Sequence, residues 1–439
     1  MLSVALLFYG AVQHTLEAAP APGVERFYIG TFTSAGSLGI YQSSLNLGTG
    51  TFGSTNLAAA TGDPAFIALT PDRRFLYAVN HGGAQAVAFS VNAANGQLTF
   101  LNQRPSGGAS TAHIVVDGSG RNVIVANYGG GSVSVFPIQA NGQLGAASTF
   151  IQYPGTTPRA HCTTLDGSNR FALVCLLGLD QVRSHPFDPA SGTLDTNSTV
   201  ITPFKTGAGP RHLTFDPEFK RAYVICELDS TIVAFNYNST NGALTPFQTN
   251  STLPAGFTSA NTTAEIAVHP SGKFLYGSNR GHNSIVVFAV NPSDGTLTFV
   301  QHQITGTTPR HFAIDPTGAY CIVANQNSNN ILLYSINPLT GALTATGQSL
   351  SVSRPVCILP FLVQPPQPVI RARPDTNSTL QLTISNSLDL LTYQLYQSPT
   401  LSTNTTWTLL ETGSRGQTDF VLTNDLAQAF FRVGVLTNY

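Results

Sequence analysis

The stretch GAGPRHLTFDPEFKRAYVICEL, residues 207–228, decides the fold. It predicts two short strands, LTF and AYVIC, joined by a polar turn. Because the second strand of such a hairpin runs back along the first, we expect Glu227 to return to the edge that carries Arg211 and His212. The hairpin therefore predicts a carboxylate, a guanidinium and an imidazole at one end.

The same hairpin recurs through the first 360 residues with a period of about 48 residues. Repeats of this length are typical of solenoids and propellers. Each of the first six copies has an inner strand, a turn with Asp, Gly or Pro, and a second strand rich in β-branched and aromatic residues. The seven inner strands are expected to begin near Ala65, Ala112, His161, Arg211, Ala264, Arg310 and Pro355.

The two ends of this repeat region complement each other. The inner strand near Pro355 has no second strand after it, whereas the run RFYIG at residues 26–30 has the pattern of a second strand without an inner one. Tight turns such as NGQL, at residues 95–98 and 141–144, follow the third strands, and their Gly supplies the positive φ of a hairpin. The sequence predicts an all-β chain with a seven-bladed β-propeller whose last blade is built from both termini.

The chain divides into four predicted parts. Residues 1–22 begin with an apolar run over residues 1–12 and end in small residues, which indicates a signal peptide or an N-terminal tail. Residues 24–362 form the propeller, residues 363–372 a Pro-rich linker, and residues 373–439 a small C-terminal domain resembling a β-sandwich. A signal peptide would make the protein secreted or periplasmic, and a tail would leave it cytoplasmic.

Composition excludes some classes of function. Of the 439 residues 9% are charged, the formal net charge is −1 and only three residues are lysine, so no basic surface exists for nucleic acid. The apolar N-terminal run is shorter than the roughly 20 residues of a membrane span. The five cysteines lack metal-site spacing, which favours buried free thiols, with a Cys162–Cys175 disulfide as the alternative. The sequence does not identify the oligomeric state.

Two columns of the repeat should meet at one mouth of the propeller channel. The residues that close the second strands are aligned as Asn80, Asn127, Leu176, Glu227, Asn279 and Asn325, so that Glu227 replaces a recurring Asn. The residues at the start of the inner strands are Phe66, His113, Cys162 with His161 beside it, His212, Glu265 and His311.

These columns concentrate histidines and arginines in a chain with only 20 Lys and Arg residues and 10 histidines, which predicts a functional site. Structural readings compete with it. A His that opens a buried strand is often a satisfied core residue, the Arg of each PRH motif could join neighbouring blades, and Glu227 could simply neutralise Arg211. A metal site made from His113, His161, His212 and Glu227 is disfavoured because close ligand spacing is absent.

Several stretches resemble the lactonase family of seven-bladed propellers, which includes propeller-type 6-phosphogluconolactonases and carboxymuconate cyclases. The resemblance covers about residues 24 to 362 and departs from many relatives at residues 80–81, where Asn-His replaces Asn-Glu. The matching stretches are YIGTFT from Tyr28, HIVVDGSGRNVIVANYGGGSVSVF from His113, PRAHCTTLDGSNRFALV from Pro158, GAGPRHLTFDP with CELDS from Gly207, HPSGKFLYGSNRGHNSIVVF from His269, and TPRHFAIDPTG from Thr308.

The resemblance implies hydrolysis of a sugar lactone of the 6-phosphogluconolactone type, or lactone-forming cycloisomerisation, on a small-molecule lactone or carboxylate and without a cofactor. A propeller that binds ligands or proteins without catalysis is the alternative. By motif position, and for His311 by its inner-strand column, the catalytic candidates are Glu227, Arg211 and His161, and the substrate-binding candidates are Arg280, His113, His212, Arg310 and His311.

These residue types suit lactone hydrolysis. The reaction needs a base to activate water and a cation to stabilise the charge that grows on the carbonyl oxygen. We expect Glu227 or His161 to activate the water and Arg211 to stabilise the oxyanion. Arg280 with Arg310 would hold a carboxylate or phosphate of the substrate.

Overall fold

The computed structural model describes residues 23–362 and six strands between Val369 and Leu436. Residues 23–362 contain seven antiparallel sheets of four or five strands. They are the blades of a β-propeller, numbered 1 to 7 here in the chain order of their inner strands. The predicted all-β, seven-bladed fold is confirmed.

Each blade runs outward from the channel through an inner, a second, a third and an outer strand. From blade 1 to blade 7, the inner strands are Pro64–Leu69, Thr111–Val116, Ala160–Leu165, Pro210–Phe215, Thr263–Val268, Pro309–Ile314 and Pro355–Leu362. The second strands are Phe75–Asn80, Asn122–Asn127, Phe171–Leu176, Arg221–Cys226, Phe274–Asn279, Tyr320–Asn325 and Val24–Thr31. The third strands are Gln85–Val91, Ser132–Pro137, Gln181–Asp188, Thr231–Asn238, Ser284–Val290, Asn330–Ile336 and Gly39–Asn46.

The outer strands complete the blades, and two-residue strands extend blades 3 and 7. The outer strands are Leu98–Pro105, Thr149–Gln152, Val200–Pro203, Ala243–Ser251, Leu297–Ile304, Leu343–Ser351 and Asn56–Ala60. The short strands are Thr193–Leu194 and Thr51–Phe52, and the two 3₁₀ helices are Thr33–Ala35 and Leu177–Leu179.

Blade 7 closes the ring with strands from both ends of the propeller sequence. Its inner strand, Pro355–Leu362, pairs with the second strand Val24–Thr31, as the sequence predicted. The rings of Tyr28 and Phe361 stack with centroids 4.9 Å apart. A Cβ at Gly30 would lie 2.4 Å from the Pro64 carbonyl oxygen, so only glycine permits this close approach of blade 7 to blade 1.

A recurring tyrosine joins neighbouring blades. In four second strands a buried Tyr hydroxyl donates a hydrogen bond to the carbonyl of the Gly in the turn before the next blade's outer strand. Each of these Gly residues has a positive φ, between 74° and 82°, which explains the Gly of the turn signature. The four pairs are Tyr28–Gly96 at 2.7 Å, Tyr77–Gly142 at 2.9 Å, Tyr223–Gly295 at 3.1 Å and Tyr276–Gly341 at 2.9 Å.

The five cysteines lie in the propeller, where all are buried free thiols, as the sequence favoured. Cys162 and Cys175 are direct cross-strand partners in blade 3 but are not joined by a disulfide bond. Burial raises the pKa of the Cys226, Cys321 and Cys357 thiols above their usual range. These three thiols therefore act as small apolar core residues.

The C-terminal segment forms two three-stranded antiparallel sheets of its own. One contains Val369–Pro374, Thr379–Ser385 and Asp419–Thr423, and the other contains Thr392–Ser398, Thr408–Thr412 and Phe430–Leu436. The predicted signal peptide or tail at residues 1–22 and residues 363–368 of the predicted linker lie outside the described residues. Among the residues that the structure describes, no helix has the length and apolar character that crossing a membrane requires.

Candidate active site

The blade 4 hairpin brings Glu227 to Arg211, as the sequence predicted. Pro210 pairs with Cys226, and the Glu227 amide donates to the Gly209 carbonyl at 2.7 Å. The alignment of Glu227 with the recurring Asn is wrong, because Cys226 occupies the position of those Asn residues. Glu227 lies one position further, where the chain leaves the strand toward the mouth.

One hydrogen bond identifies the row to which Glu227 belongs, named here the rim row. In every blade the amide of the residue that follows the second strand donates to the carbonyl of the residue that precedes the inner strand, over 2.7–3.1 Å. From blade 1 to blade 7 the rim row is His81, Tyr128, Leu177, Glu227, Arg280, Gln326 and Phe32. Glu227 and Arg280 are therefore equivalent residues of adjacent blades.

Two further rows come from the start of the inner strands, where register shifts mark bulges. The bulge lets two consecutive residues of one strand line the same pocket, as Arg211 and His212 do. The second residues form the channel row: Ala65, Ala112, His161, Arg211, Ala264, Arg310 and Val356. The third residues form the floor row: Phe66, His113, Cys162, His212, Glu265, His311 and Cys357.

The floor row closes the channel beneath a small pocket. Its rings pack against one another across the channel. The centroid of the Phe66 ring lies 4.1 Å from that of His113, 5.4 Å from that of His311 and 5.9 Å from that of His212. Small residues in three of the seven channel-row positions leave space above the rings. The pocket is lined by Ala65, Phe66, Ala112, His161, Arg211, His212, Arg310, His311 and Val356.

Glu227 and two guanidiniums form the charged centre of the mouth. Arg211 Nε donates to Glu227 Oε2 at 2.8 Å, and Arg280 Nη2 forms an ion pair with Glu227 Oε1 at 3.0 Å. Burial opposes ionisation of Glu227, but the two guanidiniums outweigh it and lower the pKa of the carboxyl. Arg211 also donates to the Ala264 carbonyl at 2.7 Å, so it joins blades 4 and 5 as well as pairing with Glu227.

Glu265, which was not among the predicted site residues, organises the floor beneath Arg211. It accepts a hydrogen bond from His212 Nδ1 at 3.1 Å, and His311 Nε2 lies 3.1 Å from its Oε2. His212 Nε2 accepts a hydrogen bond from Arg211 Nη1 at 3.2 Å, and His311 Nδ1 accepts one from the Ile358 amide at 3.2 Å. These partners fix both neutral tautomers and connect Glu265 to Arg211 through His212.

The remaining predicted residues also lie at the mouth or its floor. His161 is 5% exposed, and its Nδ1 has no partner among the described residues. Burial and the nearby Arg211 lower the pKa of His161, so its ring is neutral. His113 lies in the floor row. Burial, then the neighbouring guanidiniums, lower the pKa of Arg310 to about 9.

The four residues considered for a metal site all lie in residues 23–362. There, no group of three His, Cys, Asp or Glu side chains is arranged to hold a metal ion. Glu227, the only carboxylate of the set considered, has a guanidinium on each oxygen. The arrangement instead suits an anionic or carbonyl-bearing ligand.

Glu265→Gln is expected to lower the free energy of unfolding by about 1.5–3 kcal/mol at pH 7, the range for a hydrogen bond to a charged group. Burial raises the pKa of Glu265, but electrostatic attraction by His212 and His311 and hydrogen bonds from His212 and the Ile266 amide outweigh it and lower the pKa from 4.5 to about 2. Its contribution is therefore fully present above pH 4.5 and is lost as the pH falls toward 2.

Denaturant unfolding at pH 7 and at pH 3 measures this contribution. Glu218→Gln, at an exposed carboxylate in the turn of the blade 4 hairpin, is the matched control and should behave as the wild type. A stability for Glu265→Gln equal to that of the control at pH 7 would show that the Glu265 network does not support the floor.

Known proteins with similar sequences and structures point to one family. The family described as lactonase, 7-bladed β-propeller, matches residues 26–360. The 6-phosphogluconolactonase of Bacillus subtilis is 34% identical over 293 residues, which are 64% of this chain and 83% of that protein. A solved structure of a candidate 6-phosphogluconolactonase from Bacteroides fragilis has a TM-score of 0.74 at 31% identity, covering 79% of this chain and 100% of the other. The periplasmic gluconolactonase of Pseudomonas aeruginosa has a TM-score of 0.74 at 28% identity, covering 77% and 99%.

Proposed function

The chain belongs to the lactonase family of seven-bladed β-propellers, and from that premise we propose that it hydrolyses a sugar-type lactone by attack of water, without a metal. One observation carries the proposal. At the mouth of the pocket the carboxylate of Glu227 is held between the guanidiniums of Arg211 and Arg280. This arrangement supplies a base and two cations within one small volume.

In the proposed reaction, Glu227 takes a proton from a water molecule as the water oxygen bonds to the lactone carbonyl carbon. The carbonyl oxygen becomes an oxyanion, which Arg211 stabilises. Collapse of the tetrahedral intermediate breaks the bond between that carbon and the ring oxygen. The ring oxygen takes the proton back from Glu227, and the product is the open hydroxy acid.

The charges favour Glu227 over His161 as the base. When Glu227 accepts the proton it loses its negative charge while the oxyanion gains one, so the two guanidiniums keep an anionic partner throughout. Protonation of His161 would add a positive charge beside Arg211 and Arg310, and its Nδ1 has no carboxylate partner among residues 23–362. We assign His161 a neutral hydrogen-bonding role toward the substrate or the attacking water.

A panel of lactones tests the proposed function. Purified protein is assayed with glucono-δ-lactone, its 6-phosphate and a muconolactone, each with and without EDTA. We expect turnover of at least one sugar lactone above the spontaneous rate, with the same kcat in EDTA. Loss of turnover in EDTA would refute the metal-free mechanism. A folded protein inactive on all three would refute the proposed hydrolysis and favour a binding propeller, and conversion of the muconolactone to its open-chain muconate would indicate a cycloisomerase.

A further inference from the structure

Two arginines flank Phe32 on the blade 7 side of the mouth. Phe32 is the rim-row residue of blade 7, and the Arg310 guanidinium carbon lies 5.2 Å from its ring centroid. The guanidinium carbon of Arg354, the residue before the inner strand of blade 7, lies 5.8 Å from the same centroid. Neither Phe32 nor Arg354 was among the residues predicted from the sequence.

Neither of these guanidiniums has an anionic partner in the described propeller. The ion pairs that the structure records in residues 23–362 leave Arg310 and Arg354 without a carboxylate. The Arg354 Nε is buried and makes no hydrogen bond to a described residue. Arg280, by contrast, pairs with Glu227. Withdrawing a guanidinium partly from water without a carboxylate partner costs free energy, which an anionic ligand would offset.

Guanidiniums outnumber carboxylates in the rim and channel rows. Four guanidiniums influence one another here, whereas Glu227 is the single rim carboxylate and Glu265 in the floor is already bonded to two histidines. Arg310 and Arg354 lie on the blade 7 side. The carboxylate of Asp63, which precedes the inner strand of blade 1, accepts hydrogen bonds from the Thr33 amide and hydroxyl. Cation–π contacts with the Phe32 ring hold the two guanidiniums beside each other, and a guanidinium in such a contact can still donate hydrogen bonds in its own plane.

We propose that Arg310 and Arg354, on either side of Phe32, form a subsite for an oxyanion substituent of the ligand, separate from the lactone carbonyl that Arg211 receives. A phosphate or a carboxylate carries the required chemistry, since planar guanidiniums bind both through paired hydrogen bonds. As the ligand is taken to be the lactone or its hydroxy acid, the assignment rests on the proposed function. The subsite adds the prediction that the end of the substrate that carries the oxyanion substituent lies toward blade 7.

Calorimetric binding of 6-phosphogluconate and of gluconate to wild type and to Arg354→Gln tests the subsite without requiring turnover. The two ligands differ only in the phosphate. Glutamine keeps much of the side-chain length and removes the charge. We expect Arg354→Gln to weaken 6-phosphogluconate about tenfold or more and to leave gluconate within about twofold. Equal weakening of both ligands would place the carboxylate, which is the former lactone carbonyl, at Arg354 and would overturn a subsite separate from that carbonyl.

Arg74→Gln is the matched control, because Arg74 also lies over a Phe ring, at 5.0 Å, but on an exposed turn of blade 1. It should leave both affinities unchanged. Unchanged affinities in a folded Arg354→Gln, checked by thermal melting, would overturn the subsite. Binding of 6-phosphogluconate that depends on Arg354 in a protein that hydrolyses no lactone would refute the proposed function and leave the subsite standing.

Discussion

Glu227→Gln is expected to lower kcat for lactone hydrolysis by about 10²–10⁴-fold, the usual contribution of a general base. Glutamine has nearly the same shape and can still accept a hydrogen bond from Arg211 or Arg280, so the mouth should keep its geometry. It cannot accept a proton from water at neutral pH. Steady-state kinetics with the lactone that wild type turns over best measure the loss, and the affinity for the hydroxy acid product checks that binding survives.

Glu218→Gln controls for the loss of one carboxylate from the same hairpin, since Glu218 pairs with Lys220 on the exposed turn. It should leave kcat unchanged. Full activity in Glu227→Gln would remove Glu227 from the mechanism and return the role of base to His161.

Arg211→Ala is expected to lower kcat by about 10²–10³-fold, the range found when one oxyanion donor is removed. It should also move the acid limb of the pH–rate profile. Arg211 lowers the pKa of Glu227, so its removal raises that pKa, and the base becomes protonated at a higher pH. The acid limb of kcat should therefore shift upward, which a profile from pH 3 to pH 8 measures.

Arg211 is 2% exposed and bonded to the Ala264 carbonyl, so the alanine variant can lose stability as well as activity. Arg211→Lys keeps the charge but loses the planar fork that reaches Glu227 and the carbonyl together. We expect the lysine variant to fold and to retain only part of the activity. A folded Arg211→Lys with wild-type kcat and an unmoved acid limb would contradict the assigned role of the Arg211 fork.

The sequence predicted the propeller because the hairpin pattern of each blade is local and repeats along the chain. Each hairpin can be recognised from two β-rich runs and the turn between them. The strand at residues 26–30, which has no inner strand before it, pairs with the inner strand at Pro355, which has no second strand after it. The Arg211–Glu227 contact was readable for the same reason, since it lies within one hairpin.

Contacts that depend on exact register or cross between blades were harder to predict. The second strand of blade 4 begins at Arg221, one residue before the apolar run that starts at Ala222, so Cys226 aligns with the Asn column and Glu227 follows it. The Glu265 pairs join blade 5 to blades 4 and 6, and no local pattern records such contacts. The column of inner-strand residues did contain Glu265, and its charge among aromatic and thiol side chains was the available signal.

Because blade 7 contains strands from both ends of the propeller sequence, it can close only late in translation. Among the propeller strands, Val24–Thr31 is synthesised first and its partner Pro355–Leu362 last. The time between them is on the order of tens of seconds at ordinary rates of translation. During that time the nascent chain carries an unpaired strand edge, which can pair with a neighbouring chain. A product truncated before Pro355 keeps that edge open permanently, so premature termination yields an aggregation-prone protein rather than a smaller propeller.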